Sequence, residues 1–369
     1  RVGSQACSQV TPLYGRLVWP RVYTIGRLAD VMDTERFVIG VDIGGTKTAA
    51  ALVRARRPRP ERPASADTET PEIVERFTAA TDTSSPEATV RGIVDCVARL
   101  RQGSVAAQAV GVGVASMVDF AAGRVIESVN LPLADVALRD LLYRRFSLPT
   151  VIDNDANVAA LGEWAYGAGV GARDMIMLTL GTGVGGGIVS GGRLLRGFSG
   201  AAGELGHLII DMDGVKCPAN CPSWGCLEAY AAGSAMGAAA RAAAEQEPSS
   251  GLGRASAAGR SVDGRLLTRL AREGDAAAIR VLERTGEYLG VGLVSLSNIF
   301  DPELFVIGGG AAAAGDLLLE PARRVFATRA LRPARDRVRI VPAALGPEAG
   351  VVGAAALALL ELFPPGRSA

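Results

Sequence analysis

The strongest constraint on the fold of this chain is a unit that it uses twice. Residues 37–42 (FVIGVD) form an apolar run that stops at Gly44 and Gly45, and residues 48–53 (TAAALV) resume it. About 140 positions later, residues 175–180 (MIMLTL) run into the glycine turn 181–187, and residues 188–190 continue beyond it. A buried strand, a glycine turn and a returning strand read as a hairpin. Two copies at that separation predict a duplicated α/β architecture with two domains. A length of 369 residues gives each half a real core.

The intervening patterns fill in the two halves. Residues 87–100 and 135–146 have helical spacing, 109–115 and 148–152 read as strands, and 117–126 resembles a hairpin. A helix is expected from about 157 to 166. Residues 231–299 are mostly helical, broken by a Gly/Ser-rich loop near 248–264. Residues 304–307 form a further buried strand that ends at Gly308, Gly309 and Gly310, and a last helix covers 348–362. The Arg/Pro-rich stretch 54–70 reads as a surface loop or broken edge.

Composition removes several functions. Hydrophobic residues at 49% and charged residues at 21% belong to a soluble globular protein, and a formal net charge of +1 gives no reason to expect nucleic acid as a partner. No apolar run is long enough to span a membrane: residues 351–360 are short and Ala-rich, and they stop at Glu361. Five cysteines, three of them clustered, do not make a disulfide framework, which points to a reducing cytoplasm. Residues 1–31 lack the apolar core of a signal peptide. Met32 reads as the natural start, and residues 1–36 as an extension that is disordered or foreign to the native chain.

Three groups of residues could carry chemistry. The first is Asp42-Ile43-Gly44-Gly45-Thr46-Lys47, an acid at a strand end followed by glycines that let backbone amides approach a phosphate. Its spacing is not that of a Walker A loop. The second turn, with Gly181, Thr182 and Gly183, would hold the other end of a polyphosphate. Residues 181–186 also match Gly-x-Gly-x-x-Gly, but no helix opens after them, so the dinucleotide reading fails. The second group is Asp153-Asn154-Asp155. One of the three would cap the following helix; Asp155 is the first choice for a general base, with Asp153 in reserve, and Asn154 would bond a neighbouring hydroxyl. The third is the only histidine, His207, with Cys217, Cys221 and Cys226, a donor set for a closed tetrahedral Zn²⁺ site. Glu204 and Glu228 flank it, placed to accept hydrogen bonds from a polyol, with the metal bracing the pocket and not activating water.

Together these motifs resemble the ROK family of sugar kinases and repressors, over about residues 37–362. DIGGTK at 42–47 is similar to that family's first phosphate motif, LGTGVGGG at 180–187 to its second, and NDAN at 154–157 to its catalytic segment. The resemblance implies an actin-like ATPase (ribonuclease H-like) α/β fold, with two domains around a central cleft. One is a small domain of residues 37–155 plus 347–362, and the other a large domain of 156–346 that carries the zinc loop. It implies Asp155 as the base, sugar contacts from Asn130, Glu204, His207 and Glu228, and an adenosine-side turn at Gly308 to Gly310. It further implies ATP-dependent phosphorylation of a hexose, foremost the 6-hydroxyl of glucose, with Mg²⁺, structural Zn²⁺ and a homodimer or homotetramer. Other hexoses (mannose, fructose, N-acetylmannosamine) or a polyphosphate donor remain open. The family's repressors carry an N-terminal helix-turn-helix, for which residues 1–36 are too short. Two departures stand out. The step Cys217-x3-Cys221 is two residues longer than the family's, predicting a wider first knuckle, and Ser116 stands beside the sugar where glycine is common.

Overall fold

The computed structural model describes residues 34–58, 70–103, 105–218 and 221–364. The proposed extension therefore lies outside the described residues up to position 33, as does most of the Arg/Pro-rich loop. Strand β1 (Arg36–Ile43) pairs antiparallel with β2 (Lys47–Ala55), and β2 pairs antiparallel with β3 (Glu72–Ala80). Helix α1 (Pro86–Arg101) carries the chain to β4 (Ala109–Val114), parallel to β1. Its start is encoded locally: the Ser85 side chain accepts from the Ala88 N–H, and Pro86 needs no donor there. A hairpin, β5 (Met117–Asp119) and β6 (Arg124–Glu127), precedes α2 (Leu138–Phe146) and β7 (Thr150–Asn154), which is parallel to β4. Helix α3 (Asp155–Tyr166) leaves this sheet, whose order is β3-β2-β1-β4-β7.

The second half repeats the plan. Strands β8 (Met175–Leu180), β9 (Val184–Ser190) and β10 (Arg193–Leu194) form the antiparallel part. Helices α4 (Glu228–Ala231), α5 (Gly233–Gln246), α6 (Gly251–Ala257), α7 (Gly264–Arg272) and α8 (Ala276–Phe300) lead to β11 (Leu304–Gly308). Then α9 (Asp316–Arg329) and α10 (Ala334–Arg337) reach β12 (Arg339–Pro342), and α11 (Ala349–Leu362) ends the described chain. The order β10-β9-β8-β11-β12 matches the first sheet strand for strand, in direction as well as sequence. The duplication expected from the two glycine units is thus a duplication of whole sheets.

Small residues knit the halves together. Helix α11, which follows the second sheet, lies on the first. A Cβ on Gly40 or Gly111 would overlap the carbonyl oxygen of Val351 or Ala354. Helix α3, which follows the first sheet, lies on the second: Gly185 and Gly187 of β9 leave room for Ala156 and Ala160. Gly162 and Gly353 let the two helices touch backbone to backbone. One apolar cluster runs through this junction, from Val38 and Ala49 through Leu161, Trp164 and Leu357 to Met175 and Val306. The exchange of helices fastens the halves at their base and leaves a cleft above the carboxyl ends of the parallel strands, where α/β proteins hold ligands. This is the actin-like arrangement. Among the described residues no helix is long and apolar enough to cross a membrane.

Several local expectations need correction. Helix α2 starts at Leu138, not 135, because Asp135 takes a left-handed φ of 58° and Val136 bridges to Val125. Helix α3 starts at Asp155, two residues early, and β7 runs to Asn154. Half of the second glycine run is strand, since the packing of Gly185 and Gly187 against α3 holds residues 184–187 extended. The loop near 248–264 contains α6, capped by the Ser250 side chain at Gly253 N–H.

Candidate active site

The first glycine turn is tied down from outside the hairpin. Gly44 N–H donates to the Lys47 carbonyl at 3.0 Å, and Thr81 donates twice, from Oγ1 to the Gly44 carbonyl (2.7 Å) and from N–H to the Thr46 carbonyl (3.1 Å). Thr46 and Lys47 remain exposed. Gly45 lacks a Cβ for a reason: one there would stand 3.0 Å from the Cβ and carbonyl oxygen of Asn130, so the turn and Asn130 are neighbours. Asp42, next to last in β1, lies against Gly350, at the start of α11. Burial pushes its carboxyl up, with Lys47 pulling the other way.

The second turn has its own anchors. Gly181 N–H donates to the Gly183 carbonyl at 2.9 Å. The first residues of α5 grip it, Gly233 N–H on the Gly181 carbonyl (2.8 Å) and Ser234 Oγ on the Thr182 carbonyl (2.7 Å). Gly309, at φ 84°, lies so close to Leu180 that a side chain would run into its backbone. The structure therefore brings Gly181, Thr182 and Gly183 together with Gly309 and Gly310, as the sequence predicts. Thr81, Gly233 and Ser234 were not anticipated, because nothing local in the chain marks them.

Between the turns stands the start of α3. Register aligns Ile43, Val114 and Asn154 at the carboxyl edge of the first sheet. Asn154 is the helix cap: its Oδ1 accepts from Ala156 and Asn157 N–H groups at 2.9 and 3.1 Å, and its Nδ2 donates to the Ser116 carbonyl at 3.2 Å. One amide hydrogen is left for a ligand. Asp153, the reserve base, is 2% exposed and engaged on both oxygens: Oδ1 accepts from Asn157 Nδ2 and from Asn154 N–H, and Oδ2 pairs with Arg196 at 2.7 Å. Sealed from solvent and paired with Arg196, it is less suited than Asp155 to take a substrate proton. Asp155 keeps a partly open face. Protein around the rest of it pushes its pKa up to about 6, first by desolvation and then by repulsion from Asp42, with Glu204 adding a little. A carboxylate near neutrality, facing a cleft, is suited to accept a proton. Ser116, 7% exposed, has an Oγ without a partner.

The His/Cys cluster closes as expected. One ligand atom from each of His207, Cys217, Cys221 and Cys226 lies within 4.8 Å of the others. His207 Nδ1 is 3.5 Å from Cys217 Sγ, and Cys221 Sγ is 3.9 Å from Cys226 Sγ. A tetrahedral ion with bonds of about 2.3 Å sets its sulfurs about 3.8 Å apart, so the donors fit zinc. Burial, then the neighbouring thiols, push the Cys217 thiol up; a bound divalent cation would favour the thiolate instead. Positions 219 and 220, within the widened first knuckle, lie outside the described residues. With Nδ1 turned to the cysteines, His207 presents Nε2 to Glu204, 3.9 Å away. Glu228 is placed differently from expectation in one respect: its Oε2 accepts from the Val184 N–H at 2.8 Å, tying it to the second glycine turn and leaving Oε1 free. The same carboxylate follows Cys226, so metal loop and turn are braced together.

The comparisons agree with this geometry. A model of the ROK family matches residues 38–361. A glucokinase of Streptomyces coelicolor is 37% identical over 329 residues, covering 87% of this chain and 96% of its own. A xylose repressor of Caldicellulosiruptor bescii is 32% identical over 257 residues, covering 69% of this chain and 63% of its own. A crystal structure of a ROK family glucokinase from Streptomyces griseus, in complex with glucose and AMPPNP, superposes with a TM-score of 0.73 at 36% identity, over 87% of this chain and 98% of that one. The family model spans both glycine turns, the 153–157 segment and the whole His/Cys cluster, and the chain belongs to the ROK family.

Proposed function

We propose that this sugar kinase transfers the γ-phosphoryl group of ATP to the 6-hydroxyl of glucose, with Asp155 as general base. One observation supports the reading: Asp155 opens α3 at the carboxyl edge of the first sheet, keeps a partly open face, and holds a carboxyl raised to about 6. On one side, the two turns offer the amides left free by their internal bonds, with the exposed Thr46, Thr182 and Lys47, for phosphates, and Gly309 and Gly310 flank the nucleoside. On the other, Asn130, Glu204, His207 and Glu228 surround a polyol, with Ser116 and the spare Asn154 hydrogen beside it. Asp155 accepts the proton as the sugar oxygen attacks. The protein's remaining work is alignment and charge stabilisation. Mg²⁺, when bound with the nucleotide, neutralises the phosphates, and Asp42 and Lys47 are the residues that would hold that complex. Zinc would take all four of its ligands from the protein, so it serves to fix Glu204 and Glu228.

The test is a coupled assay over glucose, mannose, fructose and N-acetylmannosamine, with ATP and polyphosphate as donors. Glucose with ATP is expected to give the highest kcat/KM. Asp155→Ala is expected to abolish turnover with glucose affinity held within roughly tenfold. No phosphorylation of any sugar in the panel would refute the reading.

A further inference from the structure

We propose that Arg196, a residue with no sequence signature of function, is the positioning residue that couples the sugar-holding loop to the base; the proposal rests on the function just given. Arg196 follows β10 in the second half of the molecule and reaches across to the first. Its Nε donates to Asp153 Oδ2 at 2.7 Å, its Nη2 donates to Glu361 Oε1 at 2.9 Å, and its guanidinium lies over the Phe120 ring, 3.6 Å from the centroid. One side chain thus joins β7, the end of α11 and the turn of the β5–β6 hairpin.

Both ends of this strut lead to the site. At one end, Asp153 is nearly sealed from solvent, and its other oxygen accepts from the Asn154 N–H and Asn157 Nδ2. Asn154 is in turn the cap of α3, and Asp155 is the first residue of that helix. The rotamer of Asp153 therefore fixes the cap, and the cap fixes where the base stands. At the other end, Arg196 begins the segment that delivers Glu204 and His207. The Ala202 N–H donates to the Arg196 carbonyl at 3.1 Å, closing the loop on itself. Gly197, Gly200 and Gly203 all take positive φ (73°, 83° and 100°), and Phe198 at the loop's tip is fully exposed. A loop with three such glycines has little stiffness of its own. It packs at Gly200 on Val118 and at Gly203 on Gly186 of β9, and its polar ties run through the Arg196 strut before it and the His/Cys cluster after it.

A buried carboxylate without its cation is costly, and a guanidinium can hold two carboxylates at its edges and a ring on its face where an ammonium cannot. Losing the strut would let Asp153 turn, loosening the cap and the base, while the nucleotide turns keep their separate anchors at Thr81, Gly233 and Ser234. A misplacement on the order of 1 Å at the base costs up to about a hundredfold in rate.

Wild type, Arg196→Lys and Arg196→Ala would be compared for kcat, for KM of glucose and of ATP, for melting, and for hydrogen exchange in a peptide spanning 153–158. The proposal expects Arg196→Lys to melt near wild type, to lose between about tenfold and a hundredfold in kcat, and to keep its ATP KM within about threefold. It expects faster exchange at 154–157 in both variants, and partial return of Arg196→Ala turnover on adding guanidinium ion at roughly 10–100 mM. A lysine variant with wild-type kcat and exchange would overturn it. So would an alanine variant whose loss of activity follows only its folded fraction, with no response to guanidinium. The exchange arm judges the strut even on a chain that phosphorylated no sugar, so failure of the function reading and failure of this proposal are separate results.

Discussion

Replacing Asp155 with asparagine should raise stability at neutral pH and destroy turnover. In the folded chain the carboxyl sits at about 6, raised from 3.8 first by burial and then by Asp42. That difference corresponds to about 3 kcal/mol between its protonation states. Solvent at the partly open face and local relaxation reduce it, so about 1–2 kcal/mol is the expected effect. The sign follows from linkage. Between about pH 4 and 6 the folded chain holds this proton more often than the unfolded chain does, so this group's contribution to stability falls as pH rises and levels off above 6. Asparagine carries no such penalty. Urea unfolding from pH 5 to 8 should therefore show the asparagine variant more stable at pH 8 by about 1–2 kcal/mol, with the gap narrowing as pH falls through 6. In the same window, wild-type kcat/KM for glucose should climb with pH, reach half its plateau near 6 and be flat above, since a base works only when ionised. The variant should lose at least about a hundredfold. A wild-type profile flat down to pH 5, or an asparagine variant less stable than wild type at pH 8, would refute the reasoning.

Other outcomes follow from the same geometry. Asp42→Asn removes the charge that repels the Asp155 carboxylate, so the midpoint of the pH–rate profile should move down; a midpoint that stays or rises would contradict that cause. Gly111→Ala would drive a methyl into the Ala354 carbonyl where α11 lies on the first sheet, and a loss of about 3 kcal/mol or more in a melt is expected. Metal analysis should find one zinc per chain, and Cys217→Ser should release it and raise the KM for glucose at least about tenfold, with the KM for ATP little changed.

The sequence was most legible where chemistry is local. Strand β8 falls on residues 175–180 as read, and α1 within a residue at each end, because apolar runs and a Ser-Pro start need no distant partner. The duplicated glycine unit led correctly to two sheets of one order. Strand β3 escaped notice because its alternation is shallow, half-exposed residues against exposed ones, next to an Arg/Pro-rich stretch. The short strand β12 and helix α10 have four residues each, too few to show a period, and in α9 the internal Pro321 masks the stripe of Leu318, Leu319, Ala322 and Phe326. At the site, the Cys spacing pointed to residues that the fold does bring together, and the run at 153–155 to the start of α3. What distinguishes the three is visible only in the fold: Asn154 takes the two helix N–H groups, a local cap that Asp153 or Asp155 could have made, and Asp153 takes the distant Arg196. Arg196 itself lies 43 positions from Asp153, and no pattern in the chain connects them.

The central claim is that a metal-braced pocket presents the sugar's 6-hydroxyl to Asp155. The most direct measurement is a crystal structure with glucose and a non-hydrolysable ATP analogue. The account predicts the 6-hydroxyl oxygen about 2.6–3.2 Å from an Asp155 oxygen, with the terminal phosphate on its far side and Glu204 on the ring hydroxyls. Glucose bound with that hydroxyl turned away from Asp155, or phosphates resting outside the two glycine turns, would contradict it.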